Sequence, residues 1–326
     1  MKVNMKTIAQ KANVSLSTVS RVLNNPSSVD KKKVELVNYW IKKLDYQPNL
    51  GAQTLKSKNT FLIGVSIPNL ENPYFVKIIE ILEEITSKNG YNIILHNTKE
   101  NKLKEKENIE NFIKRRVDGI ILVAIDIENI NYLKRKNIPH ISLTNELNET
   151  NSISTCHKTG GKLVAKHFIE TGCNSINFIG IEEDPKFLGM KEYLYENGLE
   201  DRNKNNIFLP CGVYSSFEIR NYIKEFLSKF GIKNDAFFAG NDIIAYELIK
   251  ELEERNIKIP EEVSVVGFDN TFLAKIFKIS SVNQPIEKIT QLSFEILLKQ
   301  IEKNSYEKIG NFKINPNLIV RESSKK

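Results

Sequence analysis

Apolar residues at spacings of three and four recur through Thr7–Asn24: Ile8, Ala9, Ala12, Val14, Val19, Val22 and Leu23. That spacing predicts two short helices with their apolar faces turned inward. Asn13 marks the sharp turn between them, because Asn tolerates left-handed backbone. Ser15 is placed to cap the second helix with its hydroxyl oxygen, and Asn4 to cap the first. The second helix opens Leu16-Ser17-Thr18 and carries Ser20 and Arg21, so its outer face is small, polar and singly basic. After the turn Asn24–Ser28, Asp30 caps a third helix expected from Lys31 to about Leu44. Its Val34, Val37, Tyr39, Trp40 and Ile41 are expected to close the small core. Pro48 then breaks the helix, and Asn49 is placed to cap a short one running to Lys56. From Phe61 the period changes. Continuous apolar runs, as buried parallel strands require, begin at Phe61–Ile67. They return at Asn92–Leu95, Gly119–Ala124, His140–Leu143, Ser175–Gly180, Ile207–Leu209, Ala236–Ala239, Val263–Gly267 and Ser280–Val282. Helices lie between, so the fold class is α/β: a small helical head followed by two doubly wound parallel lobes. The Lys/Glu-rich stretch from Glu100 to Lys114 reads as a solvated amphipathic helix.

Charge locates the chemistry. Residues 1–60 hold eleven Lys/Arg against three Asp/Glu, an excess of +8; the other 36 basic and 37 acidic residues give −1. A basic excess confined to a helix-turn-helix points to nucleic acid, and such a helix enters the major groove. Charge and composition exclude other classes. No run of roughly 18 apolar residues suggests a membrane span, and Met1–Lys6 does not introduce a secretory signal. Cys156, Cys173 and Cys211 stand far apart, so neither a metal site nor a disulfide framework is expected, and a cytoplasmic setting fits. His96, His140, His157 and His167 are scattered. Thr159-Gly160-Gly161-Lys162-Leu163 lacks the first glycine and the Ser/Thr of a phosphate-binding loop. No enzyme activity or cofactor is expected.

The run ANVSLSTVSRVLNNPSSVDKKKVELVNYWIKKLDYQPN resembles the DNA-binding head of the LacI/GalR family of repressors, and the likeness continues more loosely to Arg321-Glu322-Ser323. The resemblance implies a head over residues 1–47, a hinge helix and linker over 48–60, and an effector and dimerisation domain over 61–326. That domain resembles periplasmic sugar-binding proteins. Its first lobe is expected to comprise about 61–171 plus 284–310, and its second about 172–283 plus 311–326. The implied partners are a palindromic double-stranded operator, a second copy of the chain, and a small effector such as a sugar or sugar phosphate. With no heptad tail after Ser323, a dimer is expected over a tetramer. Candidate DNA-binding residues are Asn4, Met5, Leu16, Ser17, Thr18, Ser20, Arg21 and Asn24, with Asn49, Ala52 and Leu55 in a hinge that Gly51 weakens. Leu55 matches the family's minor-groove wedge.

Ligands in open α/β sheets bind beyond the carboxyl ends of the strands. Candidate effector-binding residues there are Asn72, Tyr74 and Phe75, in a turn that resembles the family's N-P-[FY]-F, with Thr144, Lys186, Asn241, Phe268, Asp269 and Gln284. Asp242 reads as a helix cap. Three places depart from the family's sugar-binding pattern: Thr144-Asn145 replaces Asp-Arg, Cys156–Gly161 replaces D-N-x-x-G-G, and Lys186 stands where an arginine usually enters the cleft. Lysine lacks the planar fork that grips two oxygens. The effector is therefore open to an unusual sugar, a phosphorylated one, a non-sugar, or a protein co-regulator as in the family's catabolite-control member. A sugar transport receptor, the competing class, is opposed by the basic head.

Overall fold

The computed structural model describes residues 3–47, 59–144, 150–203, 205–210, 213, 215–232 and 235–325. The chain divides into two units, residues 1–60 and 61–326.

The first unit is helical. Helix α1 (Met5–Lys11) starts at Asn4, whose Oδ1 accepts from the Thr7 amide at 3.0 Å. Asn13 makes the turn at φ 49°. Ser15 Oγ accepts from the Thr18 amide at 3.1 Å to start α2 (Leu16–Asn24). Asp30 accepts from the Lys32 and Lys33 amides to start α3 (Lys31–Lys43). Ile8, Ala9, Ala12, Val19, Val22 and Val37 form the core, with Trp40 and Ile41 packed at its edge. Tyr39 does not join it. It is 54% exposed, because two residues beyond Val37 is about 200° around a helix. Tyr46, past the helix end, is buried in its place.

The second unit holds two six-stranded sheets. The strands are β1 (Leu62–Ile67), β2 (Asn92–Asn97), β3 (Gly119–Leu122), β4 (His140–Leu143), β5 (Ser152–Thr155), β6 (Ile176–Gly180), β7 (Ile207–Phe208), β8 (Ala236–Ala239), β9 (Ser264–Asp269), β10 (Ser280–Asn283), β11 (Asn311–Ile314) and β12 (Asn317–Ile319). The first sheet runs β11-β5-β4-β3-β1-β2 and the second β12-β10-β9-β8-β6-β7. Only the β10–β12 pairing is antiparallel among those described. Helices α4 (Pro73–Lys88), α5 (Lys102–Lys114) and α6 (Ile127–Arg135) follow strands of the first sheet. Helices α7 (His157–Glu170), α8 (Pro185–Glu196), α9 (Ser216–Phe230), α10 (Asp242–Glu254) and α11 (Phe272–Ile276) come next, and α12 (Ile286–Lys303) follows the passage at Gln284.

Of the three crossings between lobes, expected near Thr171, Gln284 and Gly310–Asn315, the first falls elsewhere, and the last lies at the end of its expected range. Helix α7 sends Val164, Ala165 and Phe168 into the second lobe's core beside Phe178, Phe238 and Phe268. The chain therefore crosses at Cys156, not near Thr171. Strand β11 pairs with β5, Asn311 opposite Ser152, so residues 311–314 belong to the first lobe and the last crossing lies just after Ile314. The expected boundary had nothing to lean on, because β5 itself was not expected. Ser152, Ser154 and Thr155 flank a single Ile153, yet all four are buried. Burial comes from the strands on both sides, which no local pattern records.

Helix α5 is amphipathic as expected, but two polar side chains, Glu105 and Asn108, are buried with its apolar face. Glu105 is fully buried, and its carboxylate accepts from the Ile125 and Asp126 amides and Asn129 Nδ2 at 2.8, 3.2 and 2.8 Å. It holds the loop that follows β3.

His140 is buried too. Its Nδ1 lies 2.7 Å from the Ile138 carbonyl oxygen, its Nε2 3.2 Å from Thr150 Oγ1, and its ring stacks on Tyr306 at 4.5 Å. Burial, which penalises the charged ring, pulls its pKa down to about 4. The unfolded ring takes its proton near pH 6.5, so between those values the unfolded chain binds more protons. Stability carried by neutral His140 is complete above about pH 6.5 and is lost as pH falls toward 4, by roughly 3 kcal/mol at about 1.4 kcal/mol per pH unit. In denaturant titrations from pH 7 to 4, His140→Phe should flatten the stability slope by about one proton. An unchanged slope would show that His140 titrates normally.

Candidate nucleic-acid interface and inter-lobe cleft

On α2, Leu16, Ser17 and Arg21 are exposed, whereas Val19 and Val22 face inward. Thr18 and Ser20 are half-buried, and the Thr18 and Ser17 hydroxyls each lie 2.8 Å from Ser15 Oγ. Asn4 is exposed, while Met5 packs against the head core. Lys43 lies over the Tyr39 and Trp40 rings at 5.3 and 5.0 Å, and Lys11 over Trp40 at 5.9 Å. These contacts hold charge on the outside of a very small core. The expectations on Asn49, Gly51, Ala52 and Leu55 lie outside the described residues, as does the Asn24 side chain.

In the second unit a cleft of about 490 Å³ opens at the carboxyl ends of both sheets. Its back wall is a hydrogen-bonded chain that joins the lobes. Asn72 caps α4 through Oδ1, which accepts from the Tyr74 amide at 2.9 Å, and its Nδ2 donates to Asp269 Oδ2 at 3.4 Å. The buried Tyr74 hydroxyl donates to Gln284 Oε1 at 3.2 Å, and Gln284 Nε2 donates to Asp269 Oδ1 at 2.6 Å. Asn72 and Tyr74 belong to the first lobe, Asp269 ends β9 in the second, and Gln284 stands at the crossing. Phe75 lines the same wall, edge-on to Tyr74 at 5.4 Å.

Asp269 is held in a costly state. Its φ of 103° lies in the left-handed half of backbone space, which costs a non-glycine residue about 1–3 kcal/mol. Burial, and next the Asp242 charge, raise its pKa to about 7 against the pull of Lys186, Gln284 and Asn72. Thr144, also at positive φ and buried, lines the cleft at the end of β4.

The cap expected of Asp242 falls to Asn241, and Asp242 turns into the lobe. Asn241 is the cap of α10, its Oδ1 accepting from the Ile244 amide at 2.9 Å, and it also borders the cleft. Asp242 is the first residue of the helix and is buried. Its Oδ2 accepts from the Thr271 amide and hydroxyl at 2.6 and 2.8 Å, and its Oδ1 from Ser281 Oγ at 2.6 Å. Burial raises its pKa to about 6. Asp242 thus ties α10 to the ends of β9 and β10 from within the lobe.

Phe268 is not a cleft residue. One position before Asp269 along a strand, it points to the opposite face, where it is fully buried beside Phe238. Lys186 does border the cleft, but its Nζ donates to the Gly240 carbonyl at 3.0 Å, pairs with Asp184 at 3.1 Å and lies 4.7 Å from the Phe268 ring centre. Its charge is already answered inside the second lobe.

Other lining residues were not anticipated. Asn69 Oδ1 accepts from the Asn72 amide at 2.9 Å, and its Nδ2 donates to Glu100 Oε1 at 3.0 Å, setting that carboxylate at the cleft. Burial raises the Glu100 pKa. Asp184, His157, Ile243 and Ile244 also line it. Glu100 and Asp184 follow β2 and β6, so the strand-end rule that selects Asp269 applies to them as well. Position 100 reads as the start of a helix, which hides the first. Among the described residues no cluster of His, Cys, Asp or Glu is arranged to hold a metal, and no helix is long and apolar enough to cross a membrane.

Comparison with known proteins agrees with both parts. Residues 4–49 match the family described as bacterial regulatory proteins, lacI family, and residues 165–324 match a periplasmic binding protein-like domain. The chain is 31% identical to the ribose operon repressor of Halalkalibacterium halodurans, over 98% of this chain and 97% of that one. It is 30% identical to catabolite control protein A of Staphylococcus xylosus over 98% and 97%. The fold superposes on the lac repressor dimer bound to operator and the anti-inducer ONPF with a TM-score of 0.87, at 23% identity over the whole of both chains. A LacI family regulator from Enterococcus faecium with bound ribose gives 0.70 at 26% identity, over 81% of this chain and 98% of that one. A basic helix-turn-helix head, two parallel α/β lobes and full-length identity to such repressors lead to one conclusion: this chain belongs to the LacI family of DNA-binding transcriptional regulators, a family of regulators and not of enzymes.

Proposed function

We propose that the protein acts in the cytoplasm as a homodimeric repressor of a carbohydrate-utilisation operon, released from or loaded onto a palindromic operator by a small effector in the inter-lobe cleft. The observation that carries the effector half is the chain Asn72–Asp269–Gln284–Tyr74. A molecule bound there competes for groups that also set the angle between the lobes, so binding and lobe closure share one set of bonds. Support for the DNA half is the exposed Leu16, Ser17 and Arg21 on a head that carries the whole charge excess. Similarity to catabolite control protein A keeps control by a protein partner as the competing reading.

The test is to select operators from random duplex DNA with the full-length protein, then titrate candidate effectors while following operator anisotropy. A repressor of this kind loses or gains operator affinity with one class of small molecule. Indifference to all of them favours the protein partner. In the same assay Arg21→Ala should relax sequence preference by about 1–3 kcal/mol at one base pair, the value of an arginine–guanine pair. Equal weakening on every sequence would make Arg21 a phosphate contact. Operator affinity should fall with salt by roughly 0.9 in log–log slope for each phosphate neutralised.

A further inference from the structure

Two neighbouring residues at the end of β9 have left-handed backbone, Asp269 at φ 103° and Asn270 at φ 51°. Asparagine tolerates a φ near 50°, but an aspartate at 103° lies beyond that well. Such a conformation persists only where its surroundings over-determine it. Here the surroundings converge on Asn270. Its amide donates to Ser281 Oγ at 3.0 Å, its Nδ2 donates to Asn283 Oδ1 at 2.8 Å, and its Oδ1 accepts from Arg321 Nη2 at 2.6 Å. Ser281 and Asn283 belong to β10, the strand beside β9. Arg321 comes from the segment after β12, in the Arg321-Glu322-Ser323 motif of the family likeness, and it is not among the residues that line the cleft.

Arg321 is itself fixed at both ends. Its amide donates to Ser280 Oγ at 2.8 Å, its carbonyl accepts from the same hydroxyl at 3.1 Å, and its Nη1 donates to the Ile279 carbonyl at 2.7 Å. The guanidinium thus joins the start of β10 to the Asn270 side chain with a planar fork that lysine lacks, and a charged donor makes the stronger bond. Its charge also favours the ionised form of buried Asp242, whose carboxylate holds Thr271, the next residue of the turn. On the other side of Asn270, the Asp269 carboxylate receives Gln284 Nε2 at 2.6 Å and Asn72 Nδ2 at 3.4 Å. Relaxation of the backbone at 269–270 would swing that carboxylate away from both.

Resting on the reading of this cleft as an effector site, we propose that Arg321 is a positioning residue for it: by holding Asn270 in left-handed backbone, the guanidinium aims the Asp269 carboxylate at Gln284 and Asn72. The bonds that join the lobes then depend on a residue that lies behind the cleft and beyond the last crossing.

The experiment compares the full-length protein with Arg321→Met, Arg321→Lys, Asn270→Gly and the double variant Arg321→Met/Asn270→Gly. Methionine keeps the hydrocarbon stem without a donor, and glycine accepts a φ of 51° while removing the anchor. Ligand-free crystal structures read the Asp269 carboxylate directly. In Arg321→Met and in Asn270→Gly it should leave hydrogen-bond range of Gln284, beyond roughly 3.5 Å. Amide exchange at Asn270 and Thr271 should quicken by at least about tenfold, with the α7–α8 crossing unchanged. The double variant should lose no more than the worse single one, because both changes cut one link. Arg321→Lys should behave as Arg321→Met, since it keeps the charge near Asp242 but not the fork. Free ribose, xylulose, glucose and cellobiose are the calorimetric probes. Any that binds the parent should bind each variant at least about tenfold more weakly, as loss of a bond to a charged group predicts, with operator affinity within a few-fold. Asp269 still bonded to Gln284 and Asn72, additive losses in the double variant, exchange raised evenly across the second lobe, or full rescue by Arg321→Lys overturns the positioning role. If Arg321→Met does not fold, Asn270→Gly decides from the other end of the same bond. Asp269 displaced while a sugar keeps its affinity sinks Asp269 as an effector group and leaves its link to Arg321 standing. If no sugar binds the parent, the sugar reading of the cleft falls, and the structures and exchange rates still decide on Arg321.

Discussion

Asp269→Ala should abolish the effector response while leaving operator affinity within a few-fold of the parent. The carboxylate receives Gln284 Nε2 and Asn72 Nδ2, one donor from the crossing and one from the first lobe. Removing it leaves Tyr74 and Gln284 bonded to each other but no longer to the second lobe. The head that contacts DNA is a separate unit, so its own base contacts are untouched. A loss of at least a hundredfold in effector potency is expected, since a buried charged acceptor and its partners are worth several kcal/mol. Asp269→Asn separates charge from shape. Because folded Asp269 has its pKa raised to about 7 and Asp242 to about 6, these two groups bind more protons in the folded state than in the unfolded one from about pH 7 down to about 4. These carboxylates therefore cost stability at neutral pH and cost less as the solution is acidified, the reverse of His140. Asp269→Asn should gain stability relative to the parent at pH 8, and that gain should shrink below about pH 7 and be lost near pH 4. An unchanged dose response in Asp269→Ala would place the effector elsewhere.

Gly161→Ala and Gly189→Ala should each collapse the second lobe's stability. Helices α7 and α8 cross almost backbone to backbone. A methyl group at Gly161 would stand 1.9 Å from the Lys186 carbonyl oxygen, and one at Gly189 would stand 2.1 Å from that of Lys158. Carbonyl oxygens on rigid helices cannot rotate aside as a side-chain end can, so the helices must part. Parting them opens the core of Val164, Phe168, Phe187, Met190 and Leu194. Overpacking costs about 1–3 kcal/mol where side chains can adjust; with backbone on both sides the expected loss is at least about 3 kcal/mol. That is a large share of the roughly 5–15 kcal/mol that holds a domain. Gly90→Ala serves as the comparison, since nothing lies within 4 Å and only its φ of 77° opposes the change. Thermal unfolding should show a far larger fall for Gly161→Ala than for Gly90→Ala. Equal melting temperatures would mean the crossing is looser than the structure has it.

Features carried by neighbours in the chain are legible in the sequence alone. The caps at Asn4, Ser15 and Asp30, the turn at Asn13 and the apolar faces of α1 and α2 are local chemistry. The family likeness rests on those same contiguous residues. Buried parallel strands announce themselves as apolar runs, and the carboxyl ends of those runs point to Asn72, Tyr74, Thr144, Asp269 and Gln284. Tertiary structure decided everything that depends on which elements meet. Strand β5 is polar and exists because strands flank it. Helix α7 joined the second lobe because two glycines let it lie against α8. Asn241 took the cap and Asp242 the interior because Thr271 and Ser281, distant in sequence, offered donors at that spot. The side-chain alternation of a strand is local, but which of its faces meets the core is not, so Phe268 and Asp269 are indistinguishable until β9 is placed between β8 and β10. Lys186 follows the same rule: it reads as an available cation in the sequence, and only the approach of Asp184 and the Gly240 carbonyl engages it.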